Sequence, residues 1–308
     1  MSTRLGLPSL SYVLIWLALS TASARGQDLE PRRWTHLPDG MNVLAFGVVE
    51  SSGDLTVDPV LMLDDVKYDA RLELVSYMHS FAWLGKSARV DVRVPYQQTR
   101  WEGVVNGTPA SVRRRGFGDP RIRLSVNLMG APPLKGKEYL AYRESHPINT
   151  VVGVAVAVTL PFGEYKRDKL LNLGQNRYTI RPQIGVLHTR GPWSFELTGS
   201  AFYFTDNNEF FNDNHVEQAP LYAMQGHVVR TFSPGWWLSA GAGYGSGGRS
   251  TVNGARKDDR KNSWLSGIAG GFPVAKNQGV SITYIRGTTH ADVGADSDTL
   301  IAGWSVRF

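Results

Sequence analysis

The chain of 308 residues contains no cysteine, no long apolar run and no dense basic tract. The lack of cysteine excludes a disulfide-stapled module and any metal site with Cys ligands. Helical membrane proteins are excluded too, because the longest apolar run after the N-terminal region covers residues 151–160, half of the ~20 residues that a spanning helix needs. Basic residues are too scattered for a nucleic-acid partner, the densest group being Arg113–Arg115. Disorder is also excluded, since 42% hydrophobic and 11% aromatic residues can fill a core.

The N-terminal region is typical of an export signal. Arg4 precedes an apolar stretch at residues 10–19, and the small residues of Ala22-Ser23-Ala24 follow at the spacing of a cleavage site. The sequence therefore predicts a signal peptide over residues 1–24, and the apolar stretch is too short for a membrane anchor. Residues 25–40 then either lie in the periplasm or plug the next domain, which we assign to residues 41–308.

Beyond residue 40 the hydrophobic period is two, which is typical of β-strands with differently solvated faces. Ile122 and Leu124, for example, alternate with Arg121 and Arg123. Twelve such segments can be counted, near residues 42–50, 70–83, 87–101, 117–130, 148–160, 176–189, 193–205, 217–232, 236–246, 263–274, 279–288 and 298–308. The number is even, as in single-chain bacterial outer-membrane barrels.

The connections between these segments alternate between short turns and long polar stretches. This is the pattern of a barrel with short periplasmic turns and long outer loops; only the long link at residues 131–147 breaks it. A soluble β-sandwich would also alternate, but it would not require the Trp and Tyr residues that lie near many segment ends, where headgroups favour such rings. The sequence therefore predicts an all-β fold, a transmembrane up-and-down antiparallel β-barrel of about twelve strands.

The last segment ends in an alternating apolar strand with a terminal aromatic residue. Trp304, Val306 and Phe308 share one face of it, and we expect them to act as a membrane-assembly signal. The partners implied are the lipid bilayer and the outer-membrane barrel assembly machinery, and the location implied is the bacterial outer membrane.

Strand parity also predicts a polar lumen. The alternation assigns to the inside, as candidate substrate-path residues, Arg71, Glu73, Arg89, Asp91, Arg93, Arg121, Arg123, Asn127, Arg181, Gln183 and Glu196. In an open, water-filled barrel the excess of arginine would favour anions or carboxylated aromatics. Alternatively, the charges pair across strands and fill the interior, as in small barrels. The sequence leaves both possibilities open.

Motifs for catalysis or cofactor binding are weak. The glycines Gly243, Gly245 and Gly248 match a dinucleotide fingerprint, but the pattern predicts no helix after them to hold a pyrophosphate. The histidines show no metal-ligand spacing. His188 lies on an outward position, as a lipid-hydrolysing barrel would need, yet no GxSxG motif accompanies it. We therefore expect no enzymatic activity, no cofactor and no metal.

Several stretches together resemble a known family. GDPRIRLSVNLMGAPPL at residues 118–134, LPFGEYKRDKLLNLGQNRYTIRPQIGV at 160–186 and DSDTLIAGWSVRF at 296–308 carry the similarity. They resemble the meta-pathway phenol-degradation family of outer-membrane proteins, described as transporters of aromatic compounds. The resemblance implies a passive outer-membrane channel for small hydrophobic, aromatic solutes, and it brings no residue-level site. A structural or anchoring barrel is the alternative, and a barrel lipid hydrolase a weaker one.

Overall fold

A computed structural model describes residues 28–56, 63–105, 107–232, 235–291 and 293–308, with backbone alone at residues 63–64. Its elements in chain order are β1 (Asn42–Thr56), β2 (Leu63–Trp83), β3 (Lys86–Val105), β4 (Thr108–Phe117), β5 (Arg121–Met129), α1 (Gly136–Ser145), β6 (Ile148–Thr159), β7 (Thr179–Arg190), β8 (Trp193–Phe204), β9 (Asn207–Phe210), β10 (Asn214–Gln218), β11 (Leu221–Thr231), β12 (Trp237–Gly247), β13 (Ser250–Val252), β14 (Ala255–Arg256), β15 (Lys261–Ala275), β16 (Gln278–Thr289) and β17 (Gly294–Arg307).

The large sheet closes into an antiparallel barrel of twelve strands, as the sequence predicts. β1 pairs with both β2 and β17, so the first and last barrel strands meet. β4 and β5 occupy a single strand position, because both pair with β3 along different parts of its length. Closure leaves the barrel without an open sheet edge, which is the only way for strands to satisfy their backbone groups in lipid.

The outer face of the barrel is apolar. Ile184, Leu197, Ile268 and Ile282 are exposed on it although they are large and hydrophobic. Neighbouring residues on the same strands point inward and are polar, as with Gln183 and Thr198. This inside-out distribution matches a lipid environment. Among the described residues, no helix is long and apolar enough to cross a membrane.

The two ends of the barrel differ in their connections. At one end Leu84 and Gly85 join β2 to β3, and their positive φ values of 49° and 70° are typical of a type I′ hairpin turn. Short links between β7 and β8 and between β15 and β16 lie at the same end. Because outer-membrane barrels keep their short turns on the periplasmic side, we assign this end to the periplasm.

The long periplasmic link between β5 and β6 contains α1. The Tyr139 hydroxyl of this helix donates a hydrogen bond to the His36 carbonyl at 3.0 Å. Upstream of the helix, the Leu134 carbonyl accepts a hydrogen bond from the Asp39 backbone N–H at 2.8 Å. The link is long because it packs against the N-terminal segment as that segment reaches β1, a role that hydrophobic periodicity does not encode.

Strands outside the membrane differ from the sequence prediction. Residues 102–116, 206–216 and 247–262 lie between the predicted segments and were expected in loops. The first of these stretches contains most of β4, and the other two contribute to β9, β10, β13 and β14, which form a separate four-stranded sheet. The physical reason is that water reaches both faces of a hairpin beyond the bilayer, so its residues need no apolar alternation.

Candidate functional site: the occupied barrel interior

Residues 28–40 are called the N-terminal segment here, and residues 28–37 of it lie inside the barrel. Glu30 and Trp34 are only 2% and 1% exposed. At its end Gly40, with φ of 81°, donates its N–H to the Ser80 carbonyl at 2.9 Å and lets the chain turn into β1. The positive φ explains the glycine at this turn. Residues 1–27, including the expected signal peptide, lie outside the described residues, and the assignment of residues 25–40 as a plug stays a prediction.

Carboxylates of the N-terminal segment bind arginines of the barrel wall. Arg121 contacts Asp28 at 3.1 Å and Glu30 at 3.0 Å. Arg181 contacts Asp28 and Arg123 contacts Glu30, each at 2.5 Å. All five side chains are nearly or fully buried, so water screens these pairs little and each is expected to hold the segment in place.

Two acidic residues of the wall complete this network. Asp91 pairs with Arg123 at 2.7 Å and, more distantly, with Arg89 at 3.9 Å. Glu196 accepts hydrogen bonds from the backbone N–H groups of Arg33 at 3.3 Å and Trp34 at 3.4 Å. The wall therefore holds both the side chains and the backbone of the segment.

Trp34 fits between two strands of the wall. Its indole N–H donates to the Thr198 hydroxyl at 2.8 Å. Gly153 and Gly185 face each other in the pairing of β6 and β7, and a Cβ on either would overlap the indole ring. The glycines therefore leave the space that this ring occupies.

Most of the lumen residues expected from parity come together around the segment. The structure places Arg89, Asp91, Arg93, Arg121, Arg123, Asn127, Arg181, Gln183 and Glu196 toward the interior. Their charges pair with the N-terminal segment as well as with one another, an arrangement that neither sequence alternative contained. The acidic partners Asp28 and Glu30 were missed, since a segment without regular structure has no periodicity to show which side chains face the wall.

The prediction for Arg71 and Glu73 is wrong. Both side chains are exposed on the outer face of β2, where Arg71 pairs with Glu50 at 3.6 Å and with Glu73 at 3.8 Å. Leu72 and Leu74 point inward instead. β2 is 21 residues long, about twice the length that crosses a bilayer. Near the outer end of β2 the outward face meets water rather than lipid. Polar side chains therefore lie on the outer face there, whereas within the bilayer they lie on the lumen face.

Part of the interior wall is apolar, which the sequence analysis also missed. A buried cluster joins β1, β2 and β15–β17 to the N-terminal segment and consists of Leu29, Val49, Leu72, Leu74, Leu265, Ile285 and Ile301. Apolar residues on both faces of β1 were the available signal. The barrel interior thus has an apolar wall on one side and a charged wall, on β3, β5, β7 and β8, on the other.

A cavity of about 480 Å³ lies at the periplasmic end, beside the N-terminal segment. It is lined by the segment, by the link around α1 and by β6, β7, β8 and β11. Two smaller voids of about 10 Å³ lie beside the segment, one next to Asp28 and one next to Trp34, and each is only large enough for about one water molecule. The segment therefore fills the middle of the lumen and leaves usable space at its periplasmic end.

An outer loop, residues 160–178, folds over the opposite end. Asp119 accepts hydrogen bonds from the backbone N–H groups of Gly163 at 2.9 Å and Gln175 at 2.8 Å. Burial raises the pKa of Asp119, although both hydrogen bonds oppose this shift. The Gln97 side chain also donates to the Leu173 carbonyl at 2.9 Å. These contacts fasten the loop to the barrel.

The residues of the expected assembly signal lie at the seam of the barrel. Trp304 is stacked on Phe46 on the outer face, and Phe308 exchanges backbone hydrogen bonds of 3.1 and 3.0 Å with Asn42. Their role in assembly stays a prediction. No group of three or more His, Asp or Glu side chains within the described ranges could hold a metal ion.

A closed twelve-stranded barrel with an apolar outer face and a polar, occupied interior defines an outer-membrane β-barrel protein, located in the bacterial outer membrane. The family model described as "Putative MetA-pathway of phenol degradation" matches residues 37–297. The chain belongs to this family, in agreement with the resemblance found in the sequence.

Two solved structures are similar to this barrel. The crystal structure of an outer membrane channel from Pseudomonas putida F1 shares 20% identity with a TM-score of 0.74, covering 91% of this chain and 100% of that one. The transport unit of the autotransporter AIDA-I from Escherichia coli shares 9% identity with a TM-score of 0.50, covering 92% and 93%. Because both sequence identities are low, the similarity establishes a shared fold alone. No curated protein sequence matches the chain.

Proposed function

We propose that the protein is a passive outer-membrane channel for small hydrophobic, aromatic compounds, closed in the described state by its N-terminal segment. The observation that carries the proposal is that the N-terminal segment, which is not a barrel strand, occupies the lumen, is held there by ion pairs and hydrogen bonds, and leads into β1 after the turn at Gly40. Family membership and the similarity to a barrel described as an outer membrane channel support it.

Displacement of the segment would expose a path with two unlike walls. Leu29 covers the apolar wall around Leu72 and Ile301, and an aromatic ring could contact these side chains in its place. On the other side Arg121 and Arg123 would lose their partners on the segment. Such a path suits solutes with an apolar body and one polar group, because each part finds a matching wall.

The test compares the wild type with the double variant Asp28→Asn/Glu30→Gln in planar bilayers. Removing one partner of a buried ion pair costs about 3–5 kcal/mol, so the variant should favour the displaced segment and raise the open fraction at least about 100-fold. Phenol or benzoate should reduce the open-channel current. The matched control is Glu50→Gln/Glu73→Gln, which removes two carboxylates from the exposed outer face and should leave the current at the wild-type level.

The alternative is a structural or anchoring barrel, whose interior would be filled permanently. If the inserted double variant conducts no more than the wild type and admits no aromatic solute, the channel proposal fails and the structural or anchoring role is favoured. That the protein has no enzymatic activity stays a prediction.

A further inference from the structure

The cavity at the periplasmic end carries two arginines that the ion pairs of the segment do not use. Arg32 comes from the N-terminal segment and Arg143 from the last turn of α1, and both line the cavity. Burial lowers the pKa of Arg32 to about 10, with the charge of Arg143 contributing to the decrease and Glu196 opposing it. Arg32 thus remains charged at neutral pH, and two positive groups converge on one space.

Arg32 is held in an unusual position. Its φ of 62° lies in the left-handed region, which non-glycine residues rarely adopt, and such strain is found at functional sites. The side chain is 8% exposed, its guanidinium lies over the ring of Trp237 at 5.3 Å, and its Nη1 has no hydrogen-bond partner among the described residues. A buried charged donor without an acceptor is costly, so a small rotation of the guanidinium toward an anion in the cavity would be stabilised.

The other charged groups that line the cavity neutralise this site only in part. Glu196 raises the pKa of Arg32 without restoring its ordinary value, and it accepts backbone N–H groups of the segment. Glu144 is exposed on α1, as is Arg143. His36 contacts the Pro132 carbonyl through Nε2 at 2.7 Å, and burial lowers its pKa to about 4. Because a carbonyl only accepts hydrogen bonds, Nε2 carries the proton, and Nδ1 is left as an acceptor without a partner among the described residues.

The remaining lining is partly apolar. Val151, Leu187 and Val229 are buried side chains that line the same cavity, and they offer a surface for a ring. The volume of about 480 Å³ is within the range of small-molecule sites, which are typically apolar with a few placed polar groups.

We propose that this cavity is a binding site for small aromatic carboxylates, with the carboxylate at Arg32 and Arg143 and the ring against Val151, Leu187 and Val229. The site deepens the proposed function by naming a class of solute and rests on it for its physiological meaning. Binding itself does not require that the channel conducts.

The test measures binding of 4-fluorobenzoate to the purified, detergent-solubilised protein by ¹⁹F NMR, with protein-free micelles as the blank. The neutral analogue 4-fluorobenzyl alcohol has a ring of the same size. Arg32→Gln and Arg143→Gln should each weaken carboxylate binding about tenfold, the effect of one hydrogen bond to a charged group. The matched control is Arg190→Gln, because Arg190 is exposed and follows Thr189, which lines the cavity. The affinity of this control variant for 4-fluorobenzoate should equal that of the wild type.

Three outcomes would overturn the site: no saturable binding of the carboxylate, equal binding of the alcohol, or unchanged affinity in both cavity variants. Thermal unfolding of each variant checks that the barrel is intact, and Arg143→Gln leaves the N-terminal segment itself unaltered. Conductance of the Asp28→Asn/Glu30→Gln variant, measured in parallel, separates the two proposals. Carboxylate binding by the wild type together with a non-conducting double variant leaves the site standing and removes the channel, whereas conduction by the double variant without arginine-dependent binding does the reverse.

Discussion

The glycine pair Gly153 and Gly185 shows how single residues set the closed state. In most strands an inward glycine weakens packing, but here the two missing side chains make room for the indole of Trp34. The sequence shows the glycines and the tryptophan, yet the tryptophan is more than 100 residues from either glycine in the chain. Only the register of β6 and β7 brings both glycines opposite each other at the depth that Trp34 reaches.

Gly185→Ala should therefore loosen the N-terminal segment without disturbing the barrel. The new methyl group would meet the indole of Trp34, and such overpacking costs about 1–3 kcal/mol. We expect more frequent channel openings in planar bilayers. Gly199→Ala is the matched control, since its Cβ would meet only Ile184 at 3.8 Å, an ordinary contact. Equal opening frequencies for the two variants would show that Trp34 does not hold the segment.

The alternation of side chains between the two faces of a strand correctly identified inward residues where the strand lies within the bilayer. Arg89, Arg121 and Arg181 are on the inner face because alternation is a local property of a strand. Arg71 was misassigned because the same alternation does not tell which face is the inner one. That choice depends on where the strand leaves the bilayer, and a single strand does not carry this information.

Among the elements, the outer loop at residues 160–178 is attached in part by one half-buried carboxylate. Asp119 lies between β4 and β5, and it accepts backbone N–H groups from both sides of the loop. The sequence predicted a loop there but not its attachment, because hydrogen bonds between an aspartate and distant backbone groups leave no pattern along the chain.

Asp119→Ala should release this loop. Two buried backbone N–H groups would lose their acceptor, which costs about 1–3 kcal/mol for each unpaired group. Trypsin should then cleave faster at Lys166, Arg167 or Lys169 within the loop. Asp54→Ala removes the same charge from an exposed position outside this loop, where the contact is with Lys67, and it should leave the cleavage rate within the loop near that of the wild type. Equal rates for both variants would contradict the attachment.

At the scale of the whole molecule, the interior is divided into a charged wall and an apolar wall. The N-terminal segment matches both, since Asp28 and Glu30 face the arginines while Leu29 joins the apolar cluster. Removal of the segment would leave an arginine-rich wall with few acidic neighbours, and charged walls in a narrow pore determine which ions pass.

The open state of Asp28→Asn/Glu30→Gln should therefore be anion-selective. Arg93, Arg121, Arg123 and Arg181 lie on the wall that the segment covers, and their potential attracts anions. The reversal potential across a KCl gradient measures this preference directly, and adding Arg121→Gln to the double variant should reduce it. A cation-selective current would show that the path avoids the charged wall.

The sequence by itself determined the fold class, the count of barrel strands, the membrane environment and the family, because alternation and turn spacing are local and repeat along the chain. It also placed most of the inward charges. Only the tertiary structure decided that these charges bind the chain's own N-terminal segment, that α1 packs against that segment, and that Arg32 and Arg143 share a cavity. Such contacts join residues far apart in sequence, and closure of the barrel, rather than any local preference, sets the distances between them.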